Sequence, residues 1–552
     1  MIKFDDLLII LSNVSEFLNQ NDLVALSQVC RKVHDKVGIK KLYEKITITR
    51  EPIIKSESWY LESNYSSLSG YREVLKTNDQ NDLFLYDKIQ RLLNSSHLHY
   101  INELIITDHV FNDVESGSPL LIELIRKLVS INLIESLEIF DSILLEETYD
   151  DYLKLTHLKS LNLLYLHDIF KTKTIQNVKS LQLRLPFDIE QEFGELINSE
   201  LRSFFETKLK SLVINDVESS SLRFFQILHN SDIHLNAIES LKFNHFHGSI
   251  DYNSVARELS SIDILKVIDF INIKKLEMSI GCETENCPCF DEFLFDVSSQ
   301  LPNLERIGLI ENTHKTQGDH YTEENWDISI GRFLLSIPNV SSNLKALSIN
   351  HNPPDNGEQL NAVDGNYFRR RNFYSELLPH FKALKTLSSP SLLLSLSAYD
   401  ILIGDLLWNG CECDYCKKVL PILDEYIMNH QVYSDESGMY KDISVTNFFA
   451  YICDTLTKRF RNQIQWDLDV FNVAPTDEIW NFHGYSNIHH FEDYSCNFDS
   501  SVFTIVPRTV VHFFNGYMNN IINYLPNLQL VNLSGICYAV DKTSHTYINI
   551  YD

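Results

Sequence analysis

Two groups of cysteines have the spacing that metal chemistry requires. The sequences CETENCPC and CECDYC supply six of them, namely Cys282, Cys287, Cys289, Cys411, Cys413 and Cys416. Thiolates two and three residues apart can reach a single tetrahedral zinc ion, and structural zinc sites usually draw four ligands from two such pairs. The two groups could therefore share one structural zinc if the intervening chain folds back. Reduced structural thiols are the alternative interpretation.

Two further clusters could bind ligands but match no defined site. The sequence HGYSNIHHFEDYSC brings together His483, His489, His490 and Cys496. Their spacing fits no zinc-protease signature, so a loop is predicted there. The basic triplet Arg369 to Arg371 could hold an acidic or phosphorylated partner through charge-assisted hydrogen bonds, or it could line a solvated helix face.

The remaining sequence argues against an enzyme and against a nucleic-acid binder. It contains no phosphate-binding GxxxxGK loop, no GxGxxG, no GxSxG and no HExxH motif, so we predict no catalytic activity. The 552-residue chain has 47 Lys and Arg against 75 Asp and Glu, a net charge of −28. The basic surplus that neutralises phosphates is missing, so no nucleic-acid partner is predicted.

A short phrase of the form apolar-x-x-apolar-x-apolar recurs along the chain. Its copies, such as LKSLNL and LKSLVI, begin at Ile101, Ile134, Leu158, Val178, Leu209, Ile238, Ile273, Leu304, Leu344 and Leu528, with a degraded copy at Leu384. The last two apolar residues of each phrase are two apart, which is the periodicity of a strand. Each phrase therefore predicts a short strand that is entered from a loop.

Helical patterns such as SPLLIELIRKLV and RFFQILHN lie between the phrases, so the repeating unit is a strand plus a helix. One unit cannot bury its own apolar face, and neighbouring units must therefore stack with their strands in a parallel sheet. The pattern resembles the leucine-rich-repeat family in its irregular form. An ordinary α/β domain with similar strands is the alternative.

The first residues of the chain have a different, helical pattern. In NDLVALSQVCRKVHDKV, Asn21 can cap a helix, and apolar residues then follow at spacings of three and four. The order FLNQNDLVALSQVCRKVHDKVGIKKLYEKI resembles an F-box. The match rests on Asp22, Leu23, Leu26, Ser27, Val29, Cys30, Arg31, Leu42 and Tyr43. A helical cap that covers the first repeat is the alternative interpretation.

The F-box resemblance implies a Skp-type adaptor of cullin ligases as a partner. The implied adaptor-binding residues are Leu7, Leu8, Leu11, Phe17, Leu18, Leu23, Leu26 and Val29. The predicted fold is thus α/β, an N-terminal helical F-box followed by an irregular leucine-rich-repeat solenoid with a large C-terminal insertion. The predicted domains are an F-box at 1–47, a helical connection at 48–97, repeats at 98–390, an insertion at 391–524 and a terminal repeat with cap at 525–552.

Two functions are compatible with an F-box joined to leucine-rich repeats. The first is the substrate receptor of an SCF ubiquitin ligase, with an unknown protein as substrate. The second is suggested by a resemblance to budding-yeast F-box proteins of about this size, one of which acts with the adaptor outside a ligase and represses an endosomal Rab-family GTPase. A structural scaffold built on the same adaptor and an enzyme within the insertion are two further possibilities.

The expected location follows from the absence of targeting signals. The opening MIKFDDLLIIL has Asp5 and Asp6 where a secretory signal would carry positive charge, and the most apolar later segment contains Asp400 and Asp405. We therefore expect no membrane span and a cytoplasmic protein that could also be nuclear or at endosomes.

Overall fold

The computed structural model of the chain describes somewhat more than half of its length. The described residues are 4–15, 18, 20–49, 66–69, 78–107, 110–111, 114–172, 175–185, 197–216, 220–246, 261–280, 294–311, 323–351, 372–388, 413–414, 416–418, 421, 514–533, 536–541, 544 and 546–549. They form an α/β structure, in which helices come first and strands then alternate with helices. None of the described helices is long and apolar enough to cross a membrane.

The amino-terminal helices form a unit, residues 4–44, that we call the helical unit. Its helices are α1 (Phe4–Ser15), α2 (Gln20–Ser27), α3 (Arg31–Val33) and α4 (Ile39–Glu44), and a π-helical turn, His34–Gly38, joins α3 to α4. Leu23, Val33 and Val37 are buried, at the helical spacing of the sequence pattern. The apolar residues that recur at helical spacing in the sequence therefore form the interior of this unit.

The other helices lie between strands or before them. They are α5 (Asn78–Leu93), α6 (Val114–Ile131), α7 (Ser142–Tyr152), α8 (Ser199–Ser203), α9 (Ser220–Asn230), α10 (Ser261–Val267), α11 (Glu323–Ser336), α12 (Val340–Asn343) and α13 (514–524). Residues 294–298 and 416–418 are helical as well. Short 3-10 helices cover Ser96–Tyr100, Leu166–Phe170, Phe270–Asn272 and Leu378–His380, and π-helical turns cover Phe204–Lys208 and Phe373–Leu377.

Fifteen strands of the described chain form two sheets. The four-stranded sheet has the order β2-β1-β3-β4, with β1 (Lys45–Thr49), β2 (Ser66–Ser69), β3 (Glu103–Ile106) and β4 (Ser136–Ile139). The eleven-stranded sheet runs from β5 to β15 in chain order. Its strands are β5 (Ser160–Leu163), β6 (Ser180–Leu185), β7 (Ser211–Asp216), β8 (Ser240–Phe246), β9 (Lys275–Ile280), β10 (Arg306–Glu311), β11 (Ala346–His351), β12 (Thr386–Ser388), β13 (Leu530–Leu533), β14 (Ile536–Asp541) and β15 (Thr546–Asn549).

Every recurring phrase of the sequence contains a strand, as its periodicity predicts. In LKSLVI, for example, Leu209 lies just before β7, and Leu212 and Ile214 lie within it, and all three are fully buried. The residues between them, Ser211 and Val213, point to the opposite face of the sheet because side chains alternate along a strand. The sheet therefore has an apolar face in the core and a second face that is mainly polar, which we call the polar strand face.

Backbone hydrogen bonds link the residues that enter successive strands. The N–H of Lys210 donates to the carbonyl of Lys179 at 2.8 Å, the N–H of Glu239 to Lys210 at 2.8 Å, and the N–H of Lys274 to Glu239 at 2.8 Å. Asparagine side chains reinforce this edge, since Asn272 and Asn303 each donate to a carbonyl of the preceding unit, at 3.0 Å. Each unit is thus fixed to the one before it at the amino ends of the strands, which we call the amino edge.

The two sheets separate between β4 and β5. The strands stay joined at the amino edge, where the N–H of Lys159 donates to the carbonyl of Glu135 at 2.6 Å. Farther along β5, side chains of α7 replace a paired strand. The hydroxyl of Tyr152 accepts the N–H of Asn162 at 2.6 Å, and the hydroxyl of Tyr149 accepts the N–H of Leu164 at 3.2 Å. Two tyrosine hydroxyls therefore accept backbone N–H groups at this break, where a paired strand would otherwise supply the acceptors.

The structure adds β2 at one end of the strand order and the antiparallel strands β14 and β15 at the other. The connection predicted as helical over 48–97 also contributes β2, whose single leucine, Leu68, packs against the core. At the other end, β12 pairs in parallel with β13 although residues 389–529 separate them. The antiparallel strands β14 and β15 follow it. A four-residue strand with one leucine has too little periodicity for the sequence to indicate it.

Candidate adaptor interface

The helical unit presents a group of large apolar side chains to solvent, which we call the apolar patch. Its members, each at least 39% exposed, are Leu7, Ile9, Ile10, Val14, Val24 and Val29. Leu7, Ile10 and Val14 share one face of α1, since they are three and four residues apart. Single apolar side chains on a surface are ordinary, whereas contiguous apolar surfaces are typical of interaction sites, so the face of α1 with Leu7, Ile10 and Val14 is the candidate here.

Small residues hold the helices of this unit close together. Gly38 lies so near α2 that a Cβ atom at this position would be 2.6 Å from the Cβ of Ser27. The buried hydroxyls are paired locally, since Ser27 Oγ donates to the carbonyl of Val24 at 2.7 Å and Ser15 Oγ donates to that of Ser12 at 2.6 Å. The close packing fixes the helices that position the apolar patch.

The predicted adaptor-binding residues divide by exposure. Leu7 and Val29 belong to the apolar patch, and Leu8, Leu11, Leu18 and Leu26 are partly buried. Leu23 is only 1% exposed and packs inside the unit, so the direct adaptor contact predicted for it does not fit its position. Phe17 lies outside the described residues.

Four members of the apolar patch are absent from the sequence-based prediction, namely Ile9, Ile10, Val14 and Val24. The spacing of Leu7, Ile10 and Val14 is a signal that could have found three patch members together. Which face of α1 packs inward depends on tertiary contacts, and the spacing alone does not give it.

The helical unit is joined to the sheet by its chain and by side-chain contacts. α4 leads directly into β1, and the carbonyl of Glu44 accepts the N–H of Asn102 at 2.9 Å. The ring of Tyr43 lies 5.0 Å from that of His97, centroid to centroid. Gln20 Oε1 accepts the N–H of Ser67, on the edge strand β2, at 3.1 Å. The apolar patch is therefore held in a fixed position relative to the first strands.

The segment 31–45 is basic within an acidic chain. It contains six Lys and Arg residues and two acidic residues, which gives a local net charge of +4 against −28 for the whole chain. Arg31 lies 3.8 Å from Asp35, and Lys41 lies 2.5 Å from Glu44. Arg31, whose side chain is 95% exposed, thus follows Val29 of the apolar patch by two residues.

The predicted zinc ligands are only partly described. Cys416 is buried and its backbone N–H donates to Cys413 Sγ at 3.4 Å. The other four cysteines, Cys282, Cys287, Cys289 and Cys411, lie outside the described residues. Within the described part of the chain, no group of three or more His, Cys, Asp or Glu side chains could hold a metal ion. A zinc site built from all six cysteines stays a prediction.

The remaining clusters singled out in the sequence lie outside the described residues. This applies to the basic triplet Arg369 to Arg371 and to the histidine-rich stretch with His483, His489, His490 and Cys496. The loop interpretation and the acidic-partner interpretation of these residues stay predictions.

A comparison with known protein families supports the F-box resemblance of the helical unit. The F-box domain family matches residues 8–45. Over its whole length the chain is similar to the non-SCF-type F-box protein ROY1 of Saccharomyces cerevisiae, with 42% identity over 554 aligned residues that cover 99% of each protein.

The name of this relative corrects one sequence-based preference. A subunit of an SCF ubiquitin ligase was the first of the two predicted functions, and a relative named as non-SCF-type contradicts it. The finding favours the alternative, an F-box protein that acts outside such a ligase.

Proposed function

The chain belongs to the family of F-box proteins that includes yeast ROY1, and we propose that it is itself a non-SCF-type F-box protein. In this role it binds a Skp-type adaptor and a second protein, and it performs no chemistry of its own. The observation that carries the proposal is the 42% identity to the yeast protein across 99% of both chains. Similarity of that extent covers the sheet as well as the F-box.

The adaptor-binding part of the proposal is supported by the apolar patch. Its six side chains are between 39% and 69% exposed. A partner that buries such side chains removes apolar surface from water, at about 25 cal/mol per Å² before the costs of association. Leu7, Ile10 and Val14, which share one face of α1, are the proposed centre of the contact.

The second partner is assigned to the sheet. We infer that the strand-and-helix units are irregular leucine-rich repeats and that residues 98–390, together with the terminal repeat at 525–552, form the recognition part. Stacked repeats offer a broad surface to a partner protein. We propose a Rab-family GTPase as that partner, with a role in endosomal or vacuolar trafficking and a location in the cytoplasm or at endosomes.

The test of adaptor binding compares two surface variants of the full-length protein. Leu7→Asp with Ile10→Asp introduces two charges into the apolar patch, whereas Ile143→Asp introduces a charge at an exposed apolar residue of α7. Each tagged protein is purified from yeast cells, and adaptor and cullin are quantified. We expect the adaptor to accompany the parent and Ile143→Asp but not the double variant, since a carboxylate buried against apolar surface is costly. Full adaptor binding by the double variant would refute the assignment.

The same preparations test the non-SCF part of the proposal. We expect adaptor without stoichiometric cullin, and cullin in equal amount would return the chain to the ligase class.

For the second partner, purified Rab-family GTPases are offered to the protein without nucleotide, with GDP and with a GTP analogue. A repressor must favour one state, because a ligand shifts an equilibrium only through differential affinity. Preference for the GTP-free forms is expected, and equal binding to all forms would exclude repression by this route.

A further inference from the structure

The helix at the break between the two sheets presents one acidic side to solvent. In α7, Ile143, Glu146, Glu147 and Asp150 are all exposed. They are three and four residues apart, so they share one side of the helix. The opposite side, which includes Tyr149 at the break, is buried. The exposed side of α7 therefore combines one apolar residue with three carboxylates.

The acids of this region exceed what the composition of the chain accounts for. Residues 134–153 contain seven Asp and Glu and no Lys or Arg, whereas the whole chain has 75 acids and 47 bases in 552 residues. Asp150 lies three residues after Glu147 and four after Glu146, spacings at which like charges destabilise a helix. It also lies in the last turn, where the helix dipole favours cations. The local stability of α7 disfavours this arrangement, and departures of that kind are typical of functional surfaces.

Large apolar side chains lie beside these acids. Phe140, Ile143 and Tyr165 are between 45% and 61% exposed. Phe140 directly follows β4, and Tyr165 comes two residues after β5, so both lie at the carboxyl ends of successive strands. The ring of Tyr165 contacts that of Tyr149 in α7, with centroids 6.1 Å apart. Phe140, Tyr165 and the exposed side of α7 together form what we call the α7 surface.

The α7 surface adjoins the polar strand face. Arg184 follows the fully buried Leu183 along β6, so its side chain points to the polar strand face. A nitrogen of its guanidinium lies 3.6 Å from Oε1 of Glu146. A partner that contacts the polar strand face beside the break would therefore meet the α7 surface as well.

We propose that the α7 surface is a docking site for a basic segment of a partner protein, one that carries lysines or arginines next to large apolar residues. Glu147 and Asp150 hold the cations, and the ring face of Tyr165 attracts a cation through its quadrupole. Phe140 and Ile143 pack against the apolar residues of the segment, and exposed aromatic residues are common anchors of interfaces. This inference rests on the proposed function, because it names the chemistry of the second partner.

The test of the acids uses the full-length protein and a short fluorescent peptide that contains lysines and leucines, with binding followed by anisotropy. Glu147→Gln with Asp150→Asn removes two acids from the α7 surface. Glu200→Gln with Glu376→Gln removes two exposed acids far from it in the sequence. At low salt the first variant should bind the peptide about fivefold to tenfold more weakly, and the second should stay within about twofold of the parent. The difference should shrink at physiological salt, because exposed charges are screened.

The apolar part of the surface is tested with a second peptide. Ile143→Ser should weaken binding of the lysine–leucine peptide by about fivefold, because it removes apolar contact area. Binding of an oligo-lysine peptide of equal charge should stay within about twofold of the parent. If Ile143→Ser changes the binding of neither peptide, only charge attraction is left, and the docking site is overturned.

Thermal unfolding separates a binding role from a structural one. Because Glu147→Gln with Asp150→Asn removes a repulsion within α7, its melting temperature should be unchanged or higher while peptide binding falls. A lower melting temperature with unchanged binding would make the acids structural and overturn the proposal. Equal loss of binding in both double variants would reduce the effect to net charge and would overturn it too.

Two controls identify the ligand and separate this inference from the proposed function. Magnesium at millimolar concentration should displace no more peptide than sodium chloride of the same ionic strength, and a larger displacement would assign the carboxylates to a metal ion instead. The adaptor is tested on the same preparations. Adaptor binding that survives Glu147→Gln with Asp150→Asn, together with weakened peptide binding, supports both assignments. Unchanged peptide binding would refute the docking site alone, whatever the adaptor does.

Discussion

The helical unit and the sheet use the same apolar residue types in opposite ways. In the sheet, Leu212 and Ile214 are fully buried, because strands pair on either side of β7 and helices pack against its apolar face. In the helical unit, Ile10 is 48% exposed and Val29 is 69% exposed. Each strand-and-helix unit is covered by the next one, whereas the apolar patch of the helical unit is at least 39% exposed. Apolar residues therefore stabilise the fold in one region and are available to a partner in the other.

The largest effect should come from opening the core of the sheet. Phe243→Ala removes a fully buried ring that contacts Phe225, with ring centroids 6.1 Å apart. The free energy of unfolding should fall by about 3 to 5 kcal/mol, because a cavity is left behind. Phe295→Ala makes the same change at a residue that is 74% exposed, and it should cost less than about 0.5 kcal/mol. Urea unfolding measures both, and similar costs would contradict the division into buried and available residues.

Two adjacent residues of α2 test the same division within the helical unit. Leu23→Asp places a charge in the interior, where the side chain is 1% exposed, and should destabilise the unit by about 3 to 5 kcal/mol. Val24→Asp changes a 39% exposed residue of the apolar patch and should leave stability within about 0.5 kcal/mol.

Calorimetric titration with the purified adaptor completes this comparison. Val24→Asp should weaken adaptor binding by about 2 kcal/mol, close to thirtyfold, if the residue lies in the contact. Hydrogen exchange of the amides in 4–44 reports the stability of the helical unit separately. Normal amide protection in Leu23→Asp would show that its side chain is not part of the interior.

A smaller effect is expected where the helices of the unit approach each other. Gly38→Ala places a methyl group 2.6 Å from the Cβ of Ser27, so α2 must shift, at a cost of about 1 to 3 kcal/mol. Gly516→Ala is the matched change, because no atom lies within 4 Å of the added Cβ in α13. It should stabilise the protein by up to about 1 kcal/mol through helix propensity. Thermal unfolding distinguishes the two signs, and stabilisation by both changes would contradict the close packing at Gly38.

The smallest effect concerns the ion pairs of the amino edge. Hydrogen bonds from Lys274 and from Lys210 hold the pKa of Glu239 below its ordinary value. A lowered pKa in the folded state adds stability above the unfolded value of about 4.5, and this stability is lost as pH falls through the folded pKa. Glu239→Gln should therefore cost less than about 1 kcal/mol at pH 7 and nothing in strong acid, since these groups are exposed. Unfolding at pH 7 and pH 3 measures the difference, and an equal cost at both would exclude an ionic origin.

The sequence was sufficient for the strands because their signal is local and repeated. Leu158, Leu161 and Leu163 are each buried at the spacing that the phrase LKSLNL predicts. The break between β4 and β5 could not be predicted, since IESLEI and LKSLNL have the same form on both sides of it. The break depends on the hydroxyls of Tyr149 and Tyr152. They accept backbone N–H groups in and just after β5 only once the chain has folded.

The candidate interface shows the same limit. The order of residues in NDLVALSQVCRKVHDKV indicates an F-box, and the F-box family does match 8–45. The sequence does not predict which of Leu23 and Val24 is buried. The choice is made when α2 packs against the π-helical turn, because either side chain could point inward before that. The sequence also does not predict that Lys275 and Arg306 occupy opposite positions on β9 and β10. The register between strands that lie 31 residues apart is a property of the folded sheet.

The long connection between β12 and β13 has a consequence for the order of folding. Residues 352–385 join β11 to β12, whereas 389–529 join β12 to β13, so the second connection is about four times longer. Closing a chain segment four times longer costs about 1 kcal/mol more in entropy. Contacts between distant parts of a chain also form more slowly than local ones.

We therefore expect the first eight strands of the eleven-stranded sheet, β5 to β12, to pair with one another before β13 pairs with β12. Until it docks, the backbone edge of β12 is open to any other extended segment. During synthesis, the period of greatest risk for misassembly would thus lie between the completion of Ser388 and the arrival of Leu530.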